Sequence, residues 1–355
     1  MLPDPVYVLK IEDAPWDVWK NIRFSRSIER MGGEFQVGLT TNPNIQFIEE
    51  TFIPGLACSV EVDGQTVLDG WIDVLNHQYD AQNANIDITG RDKTGDLIDC
   101  AATIDGPFEF KNQKLEKIIE RVLKPYKIPL KSEVDTGPAF GRLAIQPGET
   151  AYEFIERACR YRAVLPVSDG IGGMVLVKPG QERSPGMLVY GQNILSGQIS
   201  MDYTGRFSEY ILKGQQEGDD DSSSDEVSAV EGRAKDELVK RYRPKVIVGE
   251  AQGYSQTLSQ RAAWEKKVAR GRSNRATYTA QGWYADPSNK TLWRPNTIVK
   301  VTDPARALNR DMLIVSTSFT RGADGTKTTL DLALPEAFEL QAEKQPETKD
   351  VWGDA

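Results

Sequence analysis

Five stretches of the chain carry residue types that could do chemistry. His77 is the single histidine, so a Ser-His-Asp or Cys-His mechanism would have to use it. It lies in Asn76-His77-Gln78-Tyr79, after a run that reads as a strand, with no GxSxG or other nucleophile motif beside it; an ordinary surface or edge residue is expected. Asp135-Thr136-Gly137 has the tripeptide of aspartic proteases. That chemistry needs two carboxylates sharing a proton, hence two such loops or a dimer, and nothing flanking this copy resembles those enzymes. It reads as a turn. Gly90-Arg91-Asp92-Lys93-Thr94-Gly95 has some letters of a phosphate-binding loop but neither its glycine spacing nor its Gly-Lys-Ser/Thr ending. Asp219-Asp220-Asp221 could attract Ca²⁺, yet the spaced ligands and central glycine of a calcium loop are absent. A helix-like basic segment over 256–271, continuing to Arg275, could touch DNA. With Trp264 alone and no array of aromatics for stacking, a partner-facing or solvated helix is the better reading. Among 52 acidic residues a carboxylate pair for glycoside cleavage cannot be singled out. No catalytic constellation, metal site or cofactor site is expected.

The elements that would have to position such groups follow from length and patterning. A chain of 355 residues has room for two or three domains, each with its own core. The formal charge of −9 argues against a general nucleic-acid binder, which must replace counterions with positive charge. Cys58, Cys100 and Cys159 are odd in number and lack metal spacing; reduced, buried cysteines in a cytosol-folded protein are expected. The start, MLPDPVYVLKIED, has no basic or apolar signal region, and no apolar run approaches the roughly 20 residues that span a bilayer.

Residues 1–99 alternate apolar and polar side chains, as in Cys58-Val60-Val62 and Ile86-Ile88, and Asp63-Gly64 is a two-residue hairpin turn. They read as a first β-barrel domain. Residues 100–186 read as a small α+β domain. Its first helix carries Leu115, Ile118, Ile119, Val122 and Leu123 up to Pro125; its second starts at a Thr150/Glu153 capping box; a hairpin turns at Asp169–Gly173. Residues 187–338 read as a second β-barrel domain, with an acidic loop (Gln216–Glu226) and the basic helix inserted at about 214–274. Residues 339–355 form a polar tail.

The two β regions are alike. Cys58–Gly64, Thr66–Val74 and Asn85–Gly90 read as three short strands in order; so do Thr297–Asp303, Met312–Phe319 and Lys327–Leu334, about 240 residues on. Pro54-Gly55 and Pro295-Asn296 lead into the two sets, but the Asp-Gly turns (Asp63-Gly64, Asp324-Gly325) fall in different gaps. One β module used twice favours a scaffold over a single-site enzyme.

Three blocks then carry a resemblance: Ile88–Cys100 (ITGRDKTGDLIDC), Gly148–Arg157 (GETAYEFIER) with the hairpin after it, and Leu292–Asn296 through Leu332–Phe338. In order, they resemble the baseplate hub proteins of Mu-like contractile-tail bacteriophages, related to the late-control tail proteins and to the hub half of type VI secretion spikes. The resemblance implies a mainly β protein with two similar antiparallel β-barrel domains and a small α+β domain. It implies a non-enzymatic homotrimeric ring in the virion baseplate, folded in the host cytoplasm. Such a ring adapts a three-fold central spike to a six-fold tail tube. The expected partners are a second and third copy, the spike, the tube and other baseplate proteins, with phage DNA passing through the channel without specific binding. Glu61, Asp63, Asp87 and Asp331 are the candidate channel-lining acids, facing the lumen to repel DNA. Two other readings are a tail-associated cell-wall hydrolase and a DNA-binding tail protein acting through the basic helix.

Overall fold

The computed structural model describes residues 4–41, 52–80, 82, 84–214, 231–249 and 258–342. The acidic loop Gln216–Glu226 lies outside them. The chain divides into two compact units: Met1–Cys159 with Val164–Ile199 and Ala276–Ala333, and Arg160–Ala163 with Ser200–Arg275 and Leu334–Ala355.

The larger unit opens with β1 (Tyr7–Ile11), β2 (Ala14–Trp16), β3 (Asn21–Ser27), β4 (Glu34–Thr41), β5 (Ala57–Val62), β6 (Gln65–Tyr79) and β7 (Ala84–Asp92). Asp63 and Gly64 both take positive φ, so they form the expected tight turn between β5 and β6. β6 runs on past Val74 to Tyr79, so His77 sits inside the strand and not after it. A short helix α1 (Asp96–Asp99) follows. Next come β8 (Glu109–Gln113), α2 (Leu115–Leu123), β9 (Leu130–Ser132), β10 (Phe140–Ala144), α3 (Ala151–Arg160), β11 (Leu165–Ser168) and β12 (Met174–Val177). The stripe expected on α2 is fully buried. The capping box of α3 is made: the Thr150 amide donates to Glu153 Oε2 at 2.8 Å and the Glu153 amide to Thr150 Oγ1 at 3.2 Å.

β13 (Glu182–Val189) and β14 (Ile194–Met201) begin the second β path. The chain then forms β15 (Glu209–Gly214), β16 (Glu231–Lys235), β17 (Pro244–Gly249) and α4 (Leu258–Arg272). It ends the path with β18 (Asn274–Gln281), β19 (Tyr284–Asp286), β20 (Thr291–Leu292), β21 (Thr297–Asp303), β22 (Leu308–Gly322) and β23 (Gly325–Ala333).

The two β paths share one topology. The first pairs in the order β3-β4-β7-β6-β5-β1, the second in the order β14-β18-β23-β22-β21-β13. Numbered within each path, both run second, third, sixth, fifth, fourth, first. β6 and β22 have 15 residues each, β7 and β23 have 9. Ala57 pairs with Trp71 where Ile298 pairs with Leu313. A register shift interrupts β6·β7 between Ile72 and Val74, and β22·β23 between Ile314 and Ser316. The residue after each lead-in proline has positive φ (Gly55 +95°, Asn296 +65°), and its amide donates to the carbonyl at the shift, Ile72 at 2.7 Å and Ile314 at 2.9 Å. The weak repeat in the sequence is a strong one in the backbone. The first strand of each path differs: β1 pairs antiparallel with β5, β13 parallel with β21.

The paths join into one sheet through β3, which pairs antiparallel with the second half of β22 from Ser316↔Ser27 to Arg321↔Ile22. Phe24 lies opposite Phe319, their rings stacked with centroids 4.5 Å apart. The Trp283 ring meets Phe24 edge-on at 5.2 Å, and its Nε1 donates to the Thr320 carbonyl at 3.0 Å. All three side chains are buried. The row continues through Phe35 to Gly90, where a Cβ would lie 2.1 Å from the Trp71 carbonyl and 2.5 Å from the Phe35 ring. Only glycine fits there.

In the smaller unit β15 pairs antiparallel with β16 and parallel with β17, and α4 packs on β15 and β16. Arg206 and Asp236 are buried together in a bidentate ion pair of 2.6 and 3.0 Å. Gly271 lies against the turn Pro335–Phe338; a Cβ there would come within 2.3 Å of the Ala337 nitrogen.

Cys58 and Cys159 are buried, and burial pushes the Cys58 thiol up to about 12; Cys100, the extended C-cap residue of α1, is exposed, contrary to expectation. Phe24→Ala and Phe319→Ala are each expected to cost roughly 3–5 kcal/mol. The double variant should cost less than the sum, because the second change deletes a stack already lost. Urea unfolding of the four proteins measures this.

Candidate functional site

The motifs within the described residues that could have done chemistry serve the fold, and the surface that stands out is a sheet face; Asp219-Asp220-Asp221 lies outside the described residues. Asp92, within Gly90–Gly95, is buried and accepts four hydrogen bonds: from the Gly33 amide (2.6 Å), the Thr94 amide (2.9 Å), Thr94 Oγ1 (2.5 Å) and Ser168 Oγ (2.6 Å). It ties the end of β7 to the turn before β4 and to the end of β11, and leaves no loop open for a phosphate. In Asp135-Thr136-Gly137 the Asp135 carboxylate accepts from the Gly137 amide at 2.9 Å, an Asx turn. No cluster of His, Cys, Asp or Glu suited to a metal occurs among the described residues.

One cavity of about 410 Å³ is lined by the carboxylates Glu133, Asp169 and Glu182. Each is engaged. Glu133 pairs with Lys131 at 2.7 Å, Asp169 accepts from the Ile171 and Gly173 amides at 2.8 Å, and Glu182 pairs with Arg294. Arg26, in the same wall, donates to the Val67 carbonyl; burial lowers its pKa against the pull of Asp92 and Asp169. The cavity holds neither a nucleophile with a base nor an uncommitted acid pair.

The sheet face opposite the aromatic row is polar, and it crosses the join between the two paths unbroken. One cross-strand row runs Lys327, Thr320, Arg23, Gln36, Thr89 and Val74; the next runs Thr329, Ser318, Ser25, Glu34, Arg91 and Trp71. Arg91 bridges Asp73 at 2.8 Å and Asp99 at 2.7 Å, and these hydrogen bonds raise its pKa; the Arg91 bond in turn holds Asp99 below the usual carboxylate range.

The four candidate acids fall differently. Asp87 is on this face beside Arg23, Gln36 and Lys327. Asp331 is on it too, accepting from Thr277 Oγ1 at 2.7 Å and Ser316 Oγ at 2.6 Å. Glu61 pairs with Lys10 at 2.6 Å across β5 and β1. Asp63 is at the β5–β6 turn, where it accepts from Tyr284 Oη and from the Val6 amide at 3.1 Å, with Lys290 at 3.3 Å. It links the first path to β19. Arg23 and Glu34 belong to no sequence motif, and Arg91 falls in one that reads toward phosphate, although their period of two beside Phe24, Phe35 and Gly90 points to one sheet face.

Two cations of the basic helix, Lys267 and Arg261, are engaged by the segment that follows the second path. Lys267 pairs with Glu339 at 2.5 Å; Arg261 donates to Gln341 at 3.0 Å and to Glu265 at 2.8 Å, and it stacks over Trp264 at 4.0 Å; Trp264 Nε1 donates to the Glu339 carbonyl at 3.0 Å.

Comparison with known proteins fits a structural surface. Residues 7–92 match the Mu phage baseplate assembly protein GpP-like N-terminal family, residues 94–178 the second domain of baseplate hub protein gp44-like, and residues 255–341 the fourth domain of Mu phage baseplate assembly protein GpP. The baseplate hub protein gp44 of Escherichia phage Mu is 33% identical over 92% of this chain and 86% of its own. The chain belongs to this baseplate hub family. It is thus a protein of a Mu-like phage tail, part of the virion. The 43 kDa tail protein of prophage MuSo2 from Shewanella oneidensis has a TM-score of 0.82 at 32% identity, over 94% of this chain and 99% of that one. A tail protein from Neisseria meningitidis MC58 shares the fold, with a TM-score of 0.77 at 21% identity over 95% and 99%. The hub family is named for a structural part, in keeping with the committed carboxylates of the cavity.

Two outcomes are expected. Asp92→Ala leaves the Gly33 amide and Ser168 without their acceptor in a buried place, and should cost on the order of 3 kcal/mol in urea unfolding. The Asp63–Tyr284 contact is pH-dependent. Burial raises the Asp63 pKa, but the bonds from Tyr284, Val6 and Lys290 outweigh it and hold the carboxyl below the usual carboxylate range. Burial, then the Asp63 carboxylate, raises the Tyr284 phenol. A depressed acid stabilises above its unfolded pKa and is lost as pH falls through the lower folded one; a raised phenol stabilises below its unfolded pKa and is lost as pH rises. Tyr284→Phe should therefore cost roughly 1.5–3 kcal/mol near pH 7, the gap to wild type narrowing below about pH 4 and above about pH 10. Urea midpoints across that range test it.

Proposed function

We propose that this hub protein works as a homotrimeric ring that adapts a three-fold central spike to a six-fold tail tube around a central channel. The observation that carries the reading is the duplicated six-strand path. Two modules of equal topology in each of three chains give six similar positions about one axis, and closed rotational symmetry makes the ring. The spike, the tube and other baseplate proteins are its partners, and it assembles in the host cytoplasm.

The polar face that runs across both paths lines the channel in this reading. Glu61, Asp87 and Asp331 are the candidate acids facing the channel, beside Glu34, and DNA passes over it without specific binding; Asp63, committed to Tyr284 and Lys290, serves the fold instead. Arg91 on the same face is held by two aspartates, which offset its charge toward a phosphate backbone.

Four measurements test this. At micromolar concentration the protein should sediment with the mass of three chains, and electron microscopy should show a ring with a hole and six similar lobes; a monomer throughout overturns the reading. Incubation with peptidoglycan should release no fragments, and binding to duplex DNA should be weak or absent. Fragment release would establish the hydrolase reading, and tight salt-dependent binding the DNA-binding one.

A further inference from the structure

The cavity of about 410 Å³ is unevenly satisfied. Its three carboxylates are each engaged within the fold, but two of its cations are not. Arg26 makes one hydrogen bond, from Nη2 to the Val67 carbonyl; its Nε is fully buried without an acceptor, and its Nη1 has none. Asp92 and Asp169 attract the guanidinium through space, while their oxygens are bonded to other groups. A carbonyl does not neutralise a guanidinium, and a buried charge without an ionic partner is costly. Lys178, an exposed residue of the same lining, pairs with no carboxylate among the described residues.

Arg26 is held in this position. Gly170, at φ +80°, lies so close that a Cβ there would come 2.2 Å from Nε and 2.4 Å from Cζ. The turn that carries Gly170 is itself fixed: the Gly170 amide donates to Ser168 Oγ at 2.9 Å, and Ser168 Oγ donates to Asp92. The donor is therefore preorganised, and a ligand that meets it need not order it.

The rest of the wall sets the class of ligand. Ile28 at the end of β3, Val134, Val167, Val175 and Val177 of the α+β region and Pro295 before the second path give an apolar lining. An apolar cavity of this size with a few convergent polar groups has the make-up of a small-ligand site. Unmet cationic donors select an anion. Glu133, Asp169 and Glu182 in the same wall disfavour a doubly charged phosphate, so a single negative charge fits best.

We propose that this cavity binds one carboxylate on a short apolar body, the chemistry of a peptide chain that ends in Val, Leu, Ile or Phe. Arg26 and Lys178 take the carboxylate, and the valine-lined wall takes the apolar group. The site is independent of the ring, because every lining residue belongs to the larger unit of one chain.

The full chain tests this by ligand-observed NMR titration with short peptides ending in those four residues, each as the free acid and as the C-terminal amide, and with hexanoate. At least one free acid should bind, and its amide should bind about tenfold more weakly or worse. Arg26→Gln and Lys178→Gln should each weaken the acid and leave the amide unchanged. Urea midpoints check that both variants fold; if Arg26→Gln does not, Lys178→Gln, at an exposed position, carries the test. Hexanoate binding as tightly as the best peptide assigns the site to small carboxylic acids, and weaker binding assigns it to chain ends; both support the carboxylate site. Equal affinity for acid and amide, no binding by any member of the set, or binding that Lys178→Gln leaves unaltered overturns it. A failure here leaves the ring standing, and a monomer in sedimentation leaves this site standing.

Discussion

The β3·β22 ladder, closed by the stacked rings of Phe24 and Phe319 against Trp283, is the constraint on which the larger unit depends. Without it the chain would hold two separate six-strand sheets about 240 residues apart in sequence. With it the polar rows run from Lys327 to Val74 as one surface. The join concentrates apolar area, ring stacking and an indole hydrogen bond at one place. It costs the closure of a very long loop, but loop-closure entropy grows only with the logarithm of length. A well-packed aromatic cluster is enough to offset it.

A second tie, the Asp92 carboxylate, sets how the α+β region meets the first path. From the end of β7 it accepts four hydrogen bonds, from the turn before β4, twice from Thr94 in the turn after β7, and from β11. A buried carboxylate without donors is costly, and one fully bonded is directional. This explains why a stretch with the look of a ligand loop has an architectural task. The same holds for Asp63, whose bonds to Tyr284 and Lys290 bind the first path to β19. In both places a charged group secures a join between distant parts of the chain.

Much of the local structure was legible in the sequence. The α2 stripe, the Thr150/Glu153 capping box, the Asp63-Gly64 turn and the alternation of β5 and β7 rest on contacts within a few residues, and each formed as read. The repeat was legible only faintly. Its backbone is held by Gly55 and Asn296, by Ile72 and Ile314 and by two register shifts, and dissimilar side chains meet those demands equally well. The second half of β6 was not legible at all, because Asn76-His77-Gln78-Tyr79 lacks the apolar alternation of a half-buried strand; it is a strand through its ladder with β7. The exposure of Cys100, the C-cap of α1, likewise depends on tertiary packing.

The sequence by itself determined most of the local elements, a faint duplication and the resemblance to a phage hub, for these follow from residue type and local period. Tertiary structure alone decided which strand edges meet and which carboxylates are committed to the fold. Edge pairing depends on main-chain groups that every residue carries, so side-chain identity cannot announce it.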